Sequence, residues 1–207
     1  MLSNLGFCVE FYNVREMELS KFLTLVPRGD LWVFGYGSLM WAPEFSYAER
    51  KTGRVHGYHR ALCILSSRYR GTPDKPGLVM GLCPGGSCWG MAFRVQAGHS
   101  KGVLDALWKR EMLNNVYVPK LVPVSLANSQ RVHALAFTAD TKHRQFVDEL
   151  DVQGRARLVA QGHGQRGRCV DYIRNTLDHM RELGVHDPHL ARILATALDL
   201  TTDKEKQ

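Results

Sequence analysis

Two features of this sequence have the residue types and placement to do chemistry. The first is Trp32-Val-Phe-Gly-Tyr-Gly-Ser-Leu-Met-Trp41, an apolar run that breaks into Gly35-Tyr36-Gly37-Ser38. Glycines at alternate positions open φ values that other residues avoid, and they let a ligand approach the main chain closely. Such a loop can aim successive backbone N–H groups at one oxygen, forming an anion or oxyanion cradle. The familiar glycine motifs do not fit. A dinucleotide fingerprint needs glycine where Met40 stands, a P-loop needs a lysine before Lys51, and a nucleophile elbow needs glycine in place of Tyr36 and Met40. The second feature is Glu111. The segment Lys101 to Leu113 reads as a helix whose apolar stripe is Leu104, Leu107 and Trp108. Glu111 follows Leu107 by four residues and Leu104 by seven, so it belongs on the apolar side. A carboxylate facing a core must be paired, protonated or functional. Desolvation raises its pKa towards the range of proton exchange near neutrality. A helix-end salt bridge with an arginine is the structural alternative.

The elements that must position these features are legible as patterns. Leu31 to Phe34 is an apolar strand, and Arg54 to Leu65 is β-prone. Ser66 to Gly77 is a polar loop by its Gly and Pro content. Leu78 to Cys83 and Cys88 to Val95, joined by Pro84-Gly85-Gly86-Ser87, read as a hairpin. The second run has a bulky side (Trp89, Met91, Phe93, Val95) and a small side (Cys88, Gly90, Ala92), which suits a curved sheet or small barrel with something close against the small side. Tyr117 to Leu126 and Arg131 to Ala139 are further strands. The C-terminal third turns helical: Glu149 to Gln161, then a Gly-rich basic loop from Gly162 to Arg168, then a helix from about Arg168 to Leu183. The stripe of that helix is Cys169, Tyr172, Ile173, Thr176, Leu177 and Met180, and Gly184 stops it. Asp187-Pro188 caps a last helix running to about Leu198.

Composition bounds the rest. A chain of 207 residues with 44% hydrophobic content suits one compact domain, here 31–200, with an extension over 1–30 packed on it and a frayed tail from 201 to 207. No run approaches the roughly 18 apolar residues of a membrane span. The first residues lack a secretory pattern. Five scattered cysteines fit a reduced, cytoplasmic protein. Cys83 and Cys88 flank the Pro84–Ser87 loop, but no second cysteine or histidine pair stands at zinc spacing, so no metal is expected. The net charge of +7 is spread along the chain without a nucleic-acid reader motif, so no nucleic acid is expected, and a pull on small anionic substrates explains the charge as well. Nothing in the sequence addresses the oligomeric state.

Taken together, several stretches resemble the ChaC-type γ-glutamylcyclotransferases: Trp32 to Leu39, Arg70-Gly-Thr-Pro-Asp-Lys-Pro-Gly77, Trp89-Gly-Met-Ala-Phe-Arg94, Leu107-Trp-Lys-Arg-Glu-Met112 with Tyr117 beyond it, and Asp171-Tyr172. The resemblance spans about residues 31 to 198. It implies an α+β fold, a small mixed β-barrel or sheet flanked by helices. It implies a reaction in which the α-amino group of a γ-glutamyl unit attacks its own γ-carbonyl, giving 5-oxoproline and a free amine. For this branch it implies reduced glutathione as the small-molecule substrate, Cys-Gly as the amine released, and no cofactor. By match, Glu111 is the general acid/base. The loop Val33, Phe34, Gly35, Tyr36, Gly37, Ser38 and Leu39 holds the γ-glutamyl end, Tyr117 and Tyr172 supply walls and hydroxyls, and Arg70 faces a substrate carboxylate. Two other readings stand beside this one: a cyclotransferase for other γ-glutamyl amino acids or amines, and a ligand-binding module that kept the fold without activity.

Overall fold

The computed structural model describes residue 23 and residues 29–205, so most of the extension expected over 1–30 lies outside the described residues. Five strands close into a barrel in the order β1-β3-β2-β4-β5: β1 (Leu31–Gly35), β2 (Glu49–Ser66), β3 (Gly77–Val95), β4 (Tyr117–Leu126) and β5 (Arg131–Ala139). Closure comes from β1, which pairs antiparallel with β3 and parallel with β5. The helices are α1 (Ser100–Glu111), α2 (Val152–Gln161), α3 (Cys169–Glu182) and α4 (Pro188–Glu205). A two-stranded ribbon, β6 (His163–Gly164) and β7 (Gly167–Arg168), leads into α3. Among the described residues no helix is long and apolar enough to cross a membrane.

The unbroken apolar run of β1 has a simple cause: both of its faces are covered. Trp32 and Phe34 join the cluster shared by the barrel interior and helices α2 to α4. Leu31 and Val33 join a second cluster beneath α1, with Leu104, Leu107, Leu135 and Phe137. The stripe of α3 packs as its spacing implies, with all six named positions buried. The side chain of Asp187 accepts from Leu190 N–H at 2.9 Å and so caps α4. That helix runs past the expected stop near Leu198 to Glu205, because Leu198 and Leu200 pack on the core and the Thr201 and Thr202 hydroxyls donate to the Leu198 carbonyl.

One expectation is overturned. Pro84-Gly85-Gly86-Ser87 is not a hairpin turn: β3 runs through it and pairs with β2 from Glu49↔Arg94 to Ser66↔Gly77. The chain reverses instead at the polar loop between β2 and β3. The register shifts between His56 and Tyr58, where Gly57, Gly85 and Gly86 all take positive φ. Glycines on both strands absorb a bulge there and bend the ribbon rather than end it.

The small side of β3 does meet a close neighbour. A Cβ on Gly90 would lie 2.3 Å from the Gly35 carbonyl oxygen and 2.8 Å from the Phe34 ring. On the other side, Phe93 is covered by the rings of Phe45 and Tyr47. Gly90→Ala is therefore expected to lose about 1–3 kcal/mol of stability through overpacking, read as a lower urea midpoint at unchanged slope. An unaltered midpoint would mean that β1 and β3 are free to separate there.

Candidate active site

A cavity of about 140 Å³ opens where the end of β1, the end of α1, the loop after β2 and the start of α3 converge. Its lining includes Tyr36, Gly37, Ser38, Leu39, Arg70, Glu111, Tyr117 and Tyr172, so eight of the eleven residues singled out from the sequence meet at one place. Val33, Phe34 and Gly35 do not line it. Val33 and Phe34 are fully buried in the two core clusters, and Gly35 ends β1 against β3. They set the loop's position from behind.

The loop is pinned on three sides. The Tyr36 ring turns inward, and its hydroxyl donates to the Phe137 carbonyl of β5 at 2.6 Å. Arg60 of β2 donates from Nε to the Tyr36 carbonyl at 2.5 Å and from an Nη to the Trp89 carbonyl at 2.6 Å. Arg110 of α1 donates to the Ser38 hydroxyl at 2.8 Å. The chain then makes a single 3-10 turn, Ser38–Met40, closed by Met40 N–H to the Gly37 carbonyl. Among the described residues no protein oxygen accepts from the N–H groups of Gly37, Ser38 or Leu39. Gly37 has a φ of −128°, outside the left-handed region, and its lack of a side chain is what the packing uses. A Cβ there would sit 3.0 Å from the Tyr172 hydroxyl oxygen.

Glu111 ends α1 with 17% of its side chain exposed, and Arg110 beside it has 9%. The helix-end salt bridge is present: Arg110 Nε lies 2.9 Å from Glu111 Oε1. Arg110 Nη1 donates to the Ala42 carbonyl at 2.7 Å and to Glu44 Oε2 at 3.1 Å. Glu44, held at a positive φ of 60°, also takes both Nη groups of Arg166, at 2.8 and 2.9 Å. Burial pushes the pKa of Glu111 up, and the Arg110 and Arg166 charges pull against it without cancelling it.

The two tyrosines flank one residue of β3. Met80 N–H donates to the Tyr172 hydroxyl oxygen, and the Tyr117 hydroxyl donates to the Met80 carbonyl, each at 3.0 Å. Tyr172 therefore keeps its proton to give, while Tyr117 keeps lone pairs to accept with. Burial, and then neighbouring charges that include Glu111, keep both hydroxyls protonated. Arg70 lies over the Tyr172 ring at 5.2 Å and donates to the carbonyls of Arg166 and Arg168.

Several lining residues escaped the sequence reading. Arg110 stands next to Glu111, but adjacent helix residues do not ordinarily face one another, so spacing gave no reason to pair them. Arg166 lies in the basic Gly-rich loop, which was the available signal. Trp41, whose ring packs on Tyr172 at 5.8 Å, closes the loop motif itself.

The closed five-stranded barrel flanked by helices is a fold shared with solved γ-glutamylcyclotransferase structures. A crystal structure of a yeast γ-glutamyl cyclotransferase described as specific to glutathione superposes with TM-score 0.76 and 21% identity, over 83% of this chain and 96% of that one, a likeness of fold. The family model for ChaC-like proteins matches residues 31–199, and the chain belongs to that family. It is 33% identical to a glutathione-specific γ-glutamylcyclotransferase of Escherichia coli, over 91% of this chain and 82% of that protein. It is 32% identical to the human glutathione-specific γ-glutamylcyclotransferase 1, over 81% of each.

The balance of charges at Glu111 can be read directly. In a carbon-13 titration its carboxyl is expected to show a midpoint above the usual 4.5, and Arg110→Met should move it higher by removing the nearest cation. A midpoint at or below 4.5 in the unaltered protein would contradict this electrostatic picture.

Proposed function

We propose that this protein cyclises the γ-glutamyl unit of glutathione, releasing 5-oxoproline and Cys-Gly. The observation that carries the reading is the placement of one largely buried carboxylate, Glu111, at a cavity that is also lined by Gly37, Ser38 and Leu39, whose N–H groups no protein oxygen takes up among the described residues.

Closing a five-membered ring within one molecule needs geometry more than a nucleophile from the protein. The substrate's α-nitrogen must lie at near-attack distance from its own γ-carbonyl carbon. Glu111 takes a proton from the α-ammonium, and the freed amine adds to the carbonyl. The carbonyl oxygen gains negative charge and is met by the loop N–H groups and the Tyr172 hydroxyl. Glu111, now protonated, gives its proton to the nitrogen of the departing cysteinyl residue. The old amide C–N bond breaks, and the second surplus proton of the ring nitrogen follows the same route through Glu111 to the departing amine, leaving a neutral lactam and the Cys-Gly ammonium. A raised pKa suits an acid that must both accept and return a proton near neutrality. Tyr117, with lone pairs to spare, steadies the ammonium end, and Arg70 faces a carboxylate.

Mass spectrometry of glutathione incubated with the purified protein should show 5-oxoproline and Cys-Gly in equal amounts. Glu111→Gln should keep the fold and lose most turnover, roughly 10²- to 10⁴-fold, because an amide cannot relay the proton. Release from that variant at the unaltered rate would exclude the role. Gly37→Val should raise KM sharply by crowding the Tyr172 hydroxyl. Unchanged kinetics would show that the loop is not the cradle.

A further inference from the structure

The charges around the cavity do not balance. Four guanidinium groups line it: Arg68, Arg70, Arg110 and Arg166. Arg110 is paired with Glu111 and Glu44, and Arg166 is held by both oxygens of Glu44. Arg68 and Arg70 have no carboxylate partner among the described residues. Arg68 donates to the neutral amide oxygen of Gln165 at 3.0 Å, and Arg70 donates to backbone carbonyls.

These two cations sit at different depths. Arg70 is half-buried over the Tyr172 ring, whose hydroxyl adjoins Gly37. Arg68 is exposed at the rim, its guanidinium 5.9 Å from the centre of the Tyr69 ring. Arg166 lies 4.8 Å from the centre of the same ring, so two like charges are held near one aromatic side chain. The rim is rigid for a loop: Gln165 N–H and Arg166 N–H donate to the carbonyls of Arg68 and Tyr69 at 2.8 and 2.9 Å, tying it to the ribbon before α3. Positive charge fixed in that way, without a counter-ion, favours an anion arriving with the ligand.

A γ-glutamyl peptide carries two carboxylates. One is on the glutamyl unit, close to the reacting carbonyl and thus to the depth of Arg70. The other is at the far end of the departing peptide. A γ-glutamyl amine lacks the second. We propose that Arg68 is a specificity residue that receives the C-terminal carboxylate of the departing peptide, so that the site selects γ-glutamyl peptides over γ-glutamyl amines. Resting on the cyclotransferase reading above, this adds recognition of the end of the substrate that does not react.

The test compares glutathione with its C-terminal amide, using the unaltered chain, Arg68→Gln and Arg68→Lys. The unaltered protein should turn over the amide with kcat/KM roughly 5- to 30-fold lower, mainly through KM, the range for one charge-assisted contact at an exposed rim. Arg68→Gln should lose a similar factor against glutathione but less than about threefold against the amide, the signature of a coupled pair. Arg68→Lys should recover part of that loss. Equal turnover of acid and amide by the unaltered protein would overturn the role of Arg68 and leave the cyclotransferase reading standing. So would an equal loss on both substrates in Arg68→Gln. Absence of 5-oxoproline from both substrates would overturn the cyclotransferase reading itself.

Discussion

Arg110 is nine-tenths buried, and each of its three guanidinium nitrogens has a partner: Nε on Glu111, one Nη on Ser38, the other on Ala42 and Glu44. A buried cation is tolerated only when its charge and its donors are both satisfied. Satisfying this one brings four stretches of chain together: the glycine turn, the segment after it, the end of α1 and, through Glu44, the ribbon before α3. Removing one partner from such a pair costs about 3–5 kcal/mol, because the other is left buried and uncompensated. The same group that joins these elements also sets the balance at Glu111, where burial raises the pKa and the nearby guanidinium restrains the rise.

The barrel makes that arrangement rigid before any ligand arrives. Closure leaves β1 no free edge, because β3 and β5 flank it. Its two buried faces leave the strand one position, and the turn that follows starts from a fixed point. Arg60 and the Tyr36 hydroxyl then hold the turn from two other strands. Backbone donors fixed in this way need no reorganisation as charge develops on a bound oxygen. Met80 serves the opposite wall similarly. Its main-chain groups orient two hydroxyls in opposite senses, one left with a proton to give and one with lone pairs to receive.

Much of this was readable from local pattern. The stripe of α3, the Asp187 cap, strands β4 and β5 and the apolar run of β1 appear where residue spacing puts them. Glu111 stood out because a carboxylate broke a hydrophobic period. Pro84 to Ser87 misled because two glycines and a proline carry the same signature in a turn and in a bulge. What distinguishes them is whether the opposite strand also bends, and Gly57 lies far away in sequence. Of the two reasons the sequence offers for Gly37, special φ and close approach, the structure supports the second: its φ is −128°, and Tyr172 comes close where a side chain would stand.

The sequence by itself determined the kinds and order of elements, the glycine turn and the out-of-place acid, since periodic burial and capping act between residues a few positions apart. Only the tertiary structure decided which cations that acid and that turn would meet. Arg110 reaches Ser38 across 72 positions, and Arg166 reaches Glu44 across 122. In one dimension these arginines are indistinguishable from solvated ones. Barrel closure and the packing of α1 and α3 on it place them around a shared cavity, where low polarity gives their charges reach.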